Sequence, residues 1–257
     1  MAKFEPQVMA GKVESIHDYR VAVRRIRSAL RLIAESGEDK KADKLRKRGG
    51  DFAHFAGRVR DLDVLLKEAK ADKKPPAPEA WIFSLTLERE SSWTALKQLL
   101  SSKKYERWEK KLATWLDEDL NDVPLRKGWE KAVKEYTDAV CQWEKAASDE
   151  ELHALRIAVK RLRYLLEFFE DYLMPDARKR IARLSDIQGR LGEHHDLSVA
   201  LAKLDGAIAA SGGLEIVEDL RRYRSGLARR KANMRPKKDV AEAIELARVL
   251  VRSSDLA

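Results

Sequence analysis

Residues 17–32 read H-D-Y-R-V-A-V-R-R-I-R-S-A-L-R-L, and residues 153–168 read H-A-L-R-I-A-V-K-R-L-R-Y-L-L-E-F. Read as a helix, the first stretch places His17, Arg20, Arg24, Arg27 and Arg31 three and four residues apart. At about 100° per residue they fall in one stripe roughly 80° wide. Tyr19, Val23, Ile26, Leu30 and Ile33 form an apolar stripe centred roughly 120° away. The second stretch repeats the design with His153, Arg156, Lys160 and Arg163 on one stripe and Leu155, Val159, Leu162, Leu166 and Phe169 on the other. One side of each helix is built for burial, and a neighbouring side presents a row of cations. Such a row repels itself unless an anion lies along it.

Outward from these stretches the pattern is helical almost throughout. Gly and Pro are few and sit mainly between periodic segments. The predicted helices run from about Ser15 to Ala34, Lys40 to Lys70, Glu79 to Leu100, Lys104 to Leu120 and Arg126 to Ala146. They continue with one that starts after Ser148 and stops at Met174-Pro175, then Asp176 to Ala210, Leu214 to Met234 and Lys238 to Val251. Ser15-x-x-Asp18 and Ser148-x-x-Glu151 read as capping boxes. Gly49-Gly50 suggests a kink in the second helix. Alternating Val/Ile runs are absent, so the fold class is all-α with no sheet. The six tryptophans, Trp81, Trp93, Trp108, Trp115, Trp129 and Trp143, lie away from the cationic stretches and read as core.

A second pair of segments also matches: A-G-R-V-R-D-L-D-V at 56–64 against L-G-E-H-H-D-L-S-V at 191–199. The cationic stretches are offset by 136 residues and this pair by 135. Two signatures in the same order at nearly one spacing predict an internal duplication with pseudo-twofold symmetry. The boundary falls near Asn121-Asp122-Val123-Pro124, giving repeats 1–122 and 123–257.

Composition narrows the function. The 257 residues include 52 Lys and Arg against 43 Asp and Glu, a formal net charge of +9, which favours polyanions as partners. Cys141 is the only cysteine, which excludes an intrachain disulfide and a multi-cysteine zinc site. No apolar run approaches the roughly 20 residues needed to cross a bilayer, and the first residues lack the apolar core of a signal peptide. The expectation is a soluble, cytoplasmic protein with no membrane partner.

The paired H-x-x-R-[VI]-A-V-[RK]-R-[IL]-R and [AL]-G-x-x-[RH]-D-L-x-V segments resemble the CHAD family, the conserved-histidine α-helical domain, over nearly the whole chain. The resemblance implies a single CHAD domain across 1–257. It is built of two pseudo-twofold-related up-down bundles of the four-helix type, whose basic helices line a central cleft or pore. It also implies binding of inorganic polyphosphate and association with polyphosphate granules. Some relatives are fused to a CYTH-type triphosphatase; no E-x-E-x-K motif stands in this sequence, so binding without hydrolysis is expected. The chain departs from a strict repeat before Ser15, where only about fourteen residues precede the cationic helix. In the second copy a full helix occupies that place.

Polyphosphate has charge but no bases to read. Arg suits it because a guanidinium is planar, stays charged and can hold two phosphate oxygens at once. Arg20, Arg24, Arg27, Arg31, Arg156, Lys160 and Arg163 are assigned direct phosphate contact. Arg25 and Arg161 lie off the stripe and serve the groove edge or a carboxylate partner. His17 and His153, near their helix N-termini, are assigned hydrogen bonds to phosphate, as imidazole or imidazolium, with affinity rising as pH falls. The second long helix of each repeat adds Lys44 and Arg48, matched by Lys179 and Arg183. Arg60 and His195 are paired positions, and Asp61 and Asp196 orient a neighbouring Arg or His.

Other functions are weaker readings of the same residues. His194 and His195 are adjacent on a helix and point about 100° apart, so they are poor co-ligands; no metal and no cofactor is expected. Asp61, Asp63, Glu193 and Asp196 are the carboxylates a metal-dependent phosphohydrolase, or its accessory domain, would use, but their spacing is no known metal pattern. Aromatics are not interleaved with the cationic stripe, which argues against a specific nucleic-acid partner. The basic run Arg221-Arg222-Tyr223-Arg224 with Arg229-Arg230-Lys231 reads as a mostly solvated helix face.

Overall fold

Helical periodicity from one end of the chain to the other produces an all-α architecture. The structure is a computed structural model, and it describes residues 4–37, 39–117, 125–146, 148–168, 177–234 and 240–246. Its helices are α1 (Glu5–Met9), α2 (Val13–Gly37), α3 (Lys40–Ala71), α4 (Glu79–Leu100), α5 (Lys103–Leu116), α6 (Leu125–Ala146), α7 (Asp149–Phe168), α8 (Ala177–Ala210) and α9 (Leu214–Asn233). A further helical stretch covers 240–246. Among the described residues there is no strand, only an isolated bridge between Lys73 and Pro76. The expected stops at 121–124, 174–175 and 236, and the side chain of Phe169, lie outside the described residues.

The chain divides into two compact units. The first comprises Met1–Arg27, Lys41–Asp119 and Leu197–Lys231. Its buried side chains include Ile16, Tyr19 and Val23 of α2, Phe52 and Leu62 of α3, Leu85 and Leu96 of α4, and Trp108 of α5. Phe52 packs edge-on against Tyr105, with ring centroids 5.0 Å apart, and lies 4.9 Å from Trp108. The second unit comprises Ser28–Lys40, Leu120–Asp196 and Ala232–Ala257. Its core joins Trp129, Tyr136, Val140 and Trp143 of α6 to Leu155, Val159, Leu162 and Leu166 of α7 and to Leu184, Ile187 and Leu191 of α8. The Tyr136 hydroxyl donates to the Ala243 carbonyl at 2.7 Å, which fastens the 240–246 stretch to that core.

The apolar stripes are therefore core-facing. Five of the six tryptophans are buried; Trp93 is partly exposed and has the Lys97 ammonium 3.7 Å above its ring.

Several local expectations need correction. α2 starts two residues before the expected cap, and Ser15 lies within it. Its hydroxyl donates to Gln7 Oε1 at 2.6 Å instead of capping the helix. The cause lies upstream. Gly11 adopts φ +77° and its Cβ position is 2.9 Å from the Trp93 ring, so only glycine makes the turn that brings α1 back onto α2. At Ser148 the cap half of the box forms: the Glu151 N–H donates to Ser148 Oγ at 3.4 Å, and the Ser148 hydroxyl donates to the Glu151 carboxylate. α3 runs through Gly49 and Gly50 as one helix. A Cβ on Gly49 would come within 3.0 Å of Trp108, so close approach of α5 explains that glycine. α5 ends at Leu116, short of the expected Leu120. The basic run on α9 is mostly solvated as expected, with Arg221, Arg222, Arg229 and Arg230 exposed, and part of it also pairs. Arg224 pairs with Asp205, Arg230 with Asp72 at 2.8 Å, and the Tyr223 hydroxyl donates to Asp72 at 2.7 Å.

Candidate anion-binding faces

The first face is built on α2 and α3 within the first unit. His17, Arg20, Arg24 and Arg27 are all partly buried. Arg20 Nη2 stands 3.6 Å from Asp61 Oδ1 on α3. The expected orienting role of Asp61 thus has a partner. Arg27 Nε donates to the Arg46 carbonyl at 3.3 Å. His17 is held below the ordinary histidine range by burial first and then by the charge of Arg60 on α3, with Asp18 and Glu14 opposing. Its Nδ1 is buried and meets no hydrogen-bond partner among the described residues. Arg25, off the stripe, is exposed.

The second face is built on α7 and α8 within the second unit. His153 is exposed, and Arg156, Lys160 and Arg163 are partly buried. His153 Nδ1 lies 3.3 Å from His195 Nδ1, and the two rings are tilted by 36° with centroids 4.7 Å apart. Burial and then the charges of Arg156, His153 and Lys160 push His195 down to about 4. Burial, Arg156 and Lys160 lower His153 as well. Both rings are therefore neutral near pH 7 in the free protein, not imidazolium. His194 turns the other way, 3.8 Å from Asp149. Lys179 and Arg183 are exposed on α8.

Both faces repeat one arrangement. A histidine of the cationic helix stands within electrostatic reach of the [RH]-D-L residue on the following long helix, Arg60 in one and His195 in the other. A family model for the CHAD domain matches residues 1–205. The chain belongs to the CHAD family. Its fold is similar to the crystal structure of the CHAD domain from the plant Ricinus communis. The TM-score is 0.74 at 25% identity, covering 94% of this chain and 86% of that one. No curated protein matches it.

Two stripe arginines of this CHAD domain are tied up by carboxylates. Arg31 Nε donates to Glu35 at 3.0 Å and its Nη2 to Glu135 at 3.4 Å. Arg163 bonds Glu167 and donates to Gln188 Oε1 at 3.0 Å. Arg161, whose side chain is 10% exposed, ion-pairs with both Glu35 and Glu135, so of its two expected roles the structure gives it the carboxylate partner. Burial pushes the Glu35 carboxyl up. Hydrogen bonds from Arg31 and Lys131 and the charge of Arg161 outweigh it and leave the group below its usual range.

Lys44 and Arg48 line a pocket of about 280 Å³ together with Lys41 of α3 and Lys111 of α5, over Leu45 and Trp115. Lys41 and Lys111 were not singled out from the sequence. Lys41 does continue the i, i+3, i+7 row of Lys44 and Arg48 on α3, a signal that was there to use. Asp63, a candidate metal ligand, is buried and takes Arg89 Nε at 3.0 Å. Burial raises its carboxyl despite that pairing. Among the described residues no three His, Cys, Asp or Glu side chains are grouped to hold a metal ion, and no helix is long and apolar enough to cross a membrane.

Proposed function

We propose that this CHAD domain binds inorganic polyphosphate without hydrolysing it. The observation that carries the reading is the pair of cationic faces. Each sets a histidine and three cations at helical spacing on one helix, with a further His or Arg facing that histidine from the next long helix. Steps of three and four residues advance about 4.5–6 Å along the axis, which spaces the cationic heads for roughly every second phosphate of an extended polyphosphate chain. His17, Arg20, Arg24, Arg27 and Arg60 form one contact set; His153, Arg156, Lys160 and His195 form the other, extended by Lys179 and Arg183. Arg31 and Arg163 contribute less, because their carboxylate partners already offset their charge. Asp61 acts as a positioning residue for Arg20.

The parallel placement of the two arrangements, each on a cationic helix and the long helix after it, supports their origin in an internal duplication. Absence of catalysis is part of the proposal. Asp61 and Asp63, the first-repeat carboxylates closest to a metal pattern, are engaged by Arg20 and Arg89. Recruitment to polyphosphate granules follows from affinity for the polymer and needs no membrane or nucleic-acid contact.

The test is calorimetric titration with long-chain polyphosphate, followed by overnight incubation with the polymer and Mg²⁺ and assay of released orthophosphate. Saturable binding with no release above the protein-free control is expected. No binding, or steady release that scales with protein, overturns the proposal.

A further inference from the structure

The pocket between α3 and α5 holds charge for which the α2 and α7 faces give no account. Lys41, Lys44 and Arg48 share one side of α3, and Lys111 completes the lining from α5. All four are exposed. Among the described residues, Lys44, Arg48 and Lys111 make no ion pair. Neighbouring carboxylates are already engaged: Asp43 by Arg46 and Lys47, at 2.7 Å each, and Asp51 by Lys104. Lys44, Arg48 and Lys111 therefore keep a positive field that these two carboxylates do not offset, and the apolar floor of Leu45 and Trp115 focuses it. The walls are also fixed in place. Trp108 Nε1 donates to the Leu45 carbonyl at 3.0 Å, tying α5 to α3 beside the pocket.

We propose that this pocket is a separate site for a compact anion of two or three linked phosphates. Its volume of about 280 Å³ lies just below the small end of the roughly 300–1,000 Å³ usual for small-molecule sites, which suits a short anion. Four cations around so small a space suit charge that is concentrated rather than strung along a line. Lys44 and Arg48, assigned from the sequence to the polymer face, belong to this site. None of its residues is on α2 or α7, so it stands or falls apart from polymer binding. The phosphates have two sources, a free oligophosphate or the end of a longer chain.

Calorimetric titration with tripolyphosphate tests it. The wild type is expected to show one tight site for it, above weaker binding by the α2 and α7 faces. Lys111→Glu is expected to weaken that binding about tenfold or more, since a charged hydrogen bond is replaced by repulsion. Lys111→Ala should weaken it less. Both variants should melt like the wild type, because Lys111 is exposed. Arg221→Glu, the same charge change at an exposed position on α9, should bind tripolyphosphate within twofold of wild type. Unchanged binding in Lys111→Glu, or an equal loss in Arg221→Glu, overturns the site. A parallel titration with long chains whose ends are free or chemically blocked identifies the source. A Lys111→Glu effect confined to free-ended chains assigns the pocket to chain ends. No effect on either chain assigns it to free oligophosphate. An equal effect on both chains contradicts a compact site.

Discussion

His153 Nδ1 and His195 Nδ1 stand 3.3 Å apart, so one ring donates to the other and the pair behaves as a single proton acceptor. With both rings neutral, only one outward Nε2 carries a hydrogen. One added proton gives both outward nitrogens a hydrogen and keeps the bond between the rings. A second proton would place two cations in contact beside Arg156 and Lys160. The pair is thus arranged to take up one proton when a polyanion arrives.

The sign of the pH effect follows. His195 titrates at about 4 in the folded protein, below the ordinary 6.5 of an unfolded chain, so unfolding takes up protons between those values. Stability of the free protein should fall as pH drops from about 6.5 towards 4. A bound polyanion raises both histidines and reverses the trend, so affinity should rise as pH falls. Calorimetry at pH 6 in two buffers of different ionisation enthalpy should report uptake of about one proton for this pair, lost in His195→Asn. Uptake unchanged in that variant would contradict the pairing.

Arg161 is a structural cation, its side chain 10% exposed and paired with Glu35 and Glu135. Glu35 and Glu135 keep Arg31, and Glu35 keeps Lys131, so Arg161→Ala should cost roughly 1–2 kcal/mol of stability. Arg25→Ala, at an exposed position, should change stability by no more than about 0.5 kcal/mol. Urea denaturation of both variants measures the contrast.

Arg89 makes a second buried pair. It bonds Asp63 on α3 and donates to the Gly11 carbonyl at 3.0 Å, joining α4 to α3 and to the turn before α2. Arg89→Met should cost roughly 3 kcal/mol because Asp63 is left buried without its partner. Adding Asp63→Leu should recover most of it, as measured by urea melts of the single and double variants. Failure to recover would mean that the bond to Gly11 dominates.

Much of this was legible in the sequence because it is periodic. The apolar stripe 19, 23, 30 of α2 and its counterpart 155, 159, 162, 166 are buried where a 3.6-residue period puts them. α4 spans the predicted Glu79–Leu100, since Pro78 and Ser101 bracket it. What escaped depends on residues far apart in the chain. Arg161 finds Glu35 across 126 positions, and Lys111 lies across a pocket from α3 because Trp108 docks on Leu45 and Gly49. Ser15 looked like a cap because local rules cannot see that Gly11 folds Gln7 back onto it. The depressed histidines also required the fold, since burial is their leading cause.

The α2 face has its own test. Arg24→Glu/Arg27→Glu should lower affinity for long-chain polyphosphate at least a hundredfold, as two contacts become repulsions. Both side chains are only partly buried, so the melting temperature should fall by no more than several degrees. Normal binding by the folded double variant would remove α2 from the site.

The central claim is that these faces are spaced for linked phosphates rather than merely basic. The most direct measurement titrates the protein with polyphosphate and with single-stranded DNA of matched charge, at about 50 and 200 mM salt. A basic surface loses affinity for both in proportion to the phosphates neutralised. The account predicts tight polyphosphate binding that persists at the higher salt, beside weak DNA binding that does not. Equal affinities that collapse together with salt would contradict it.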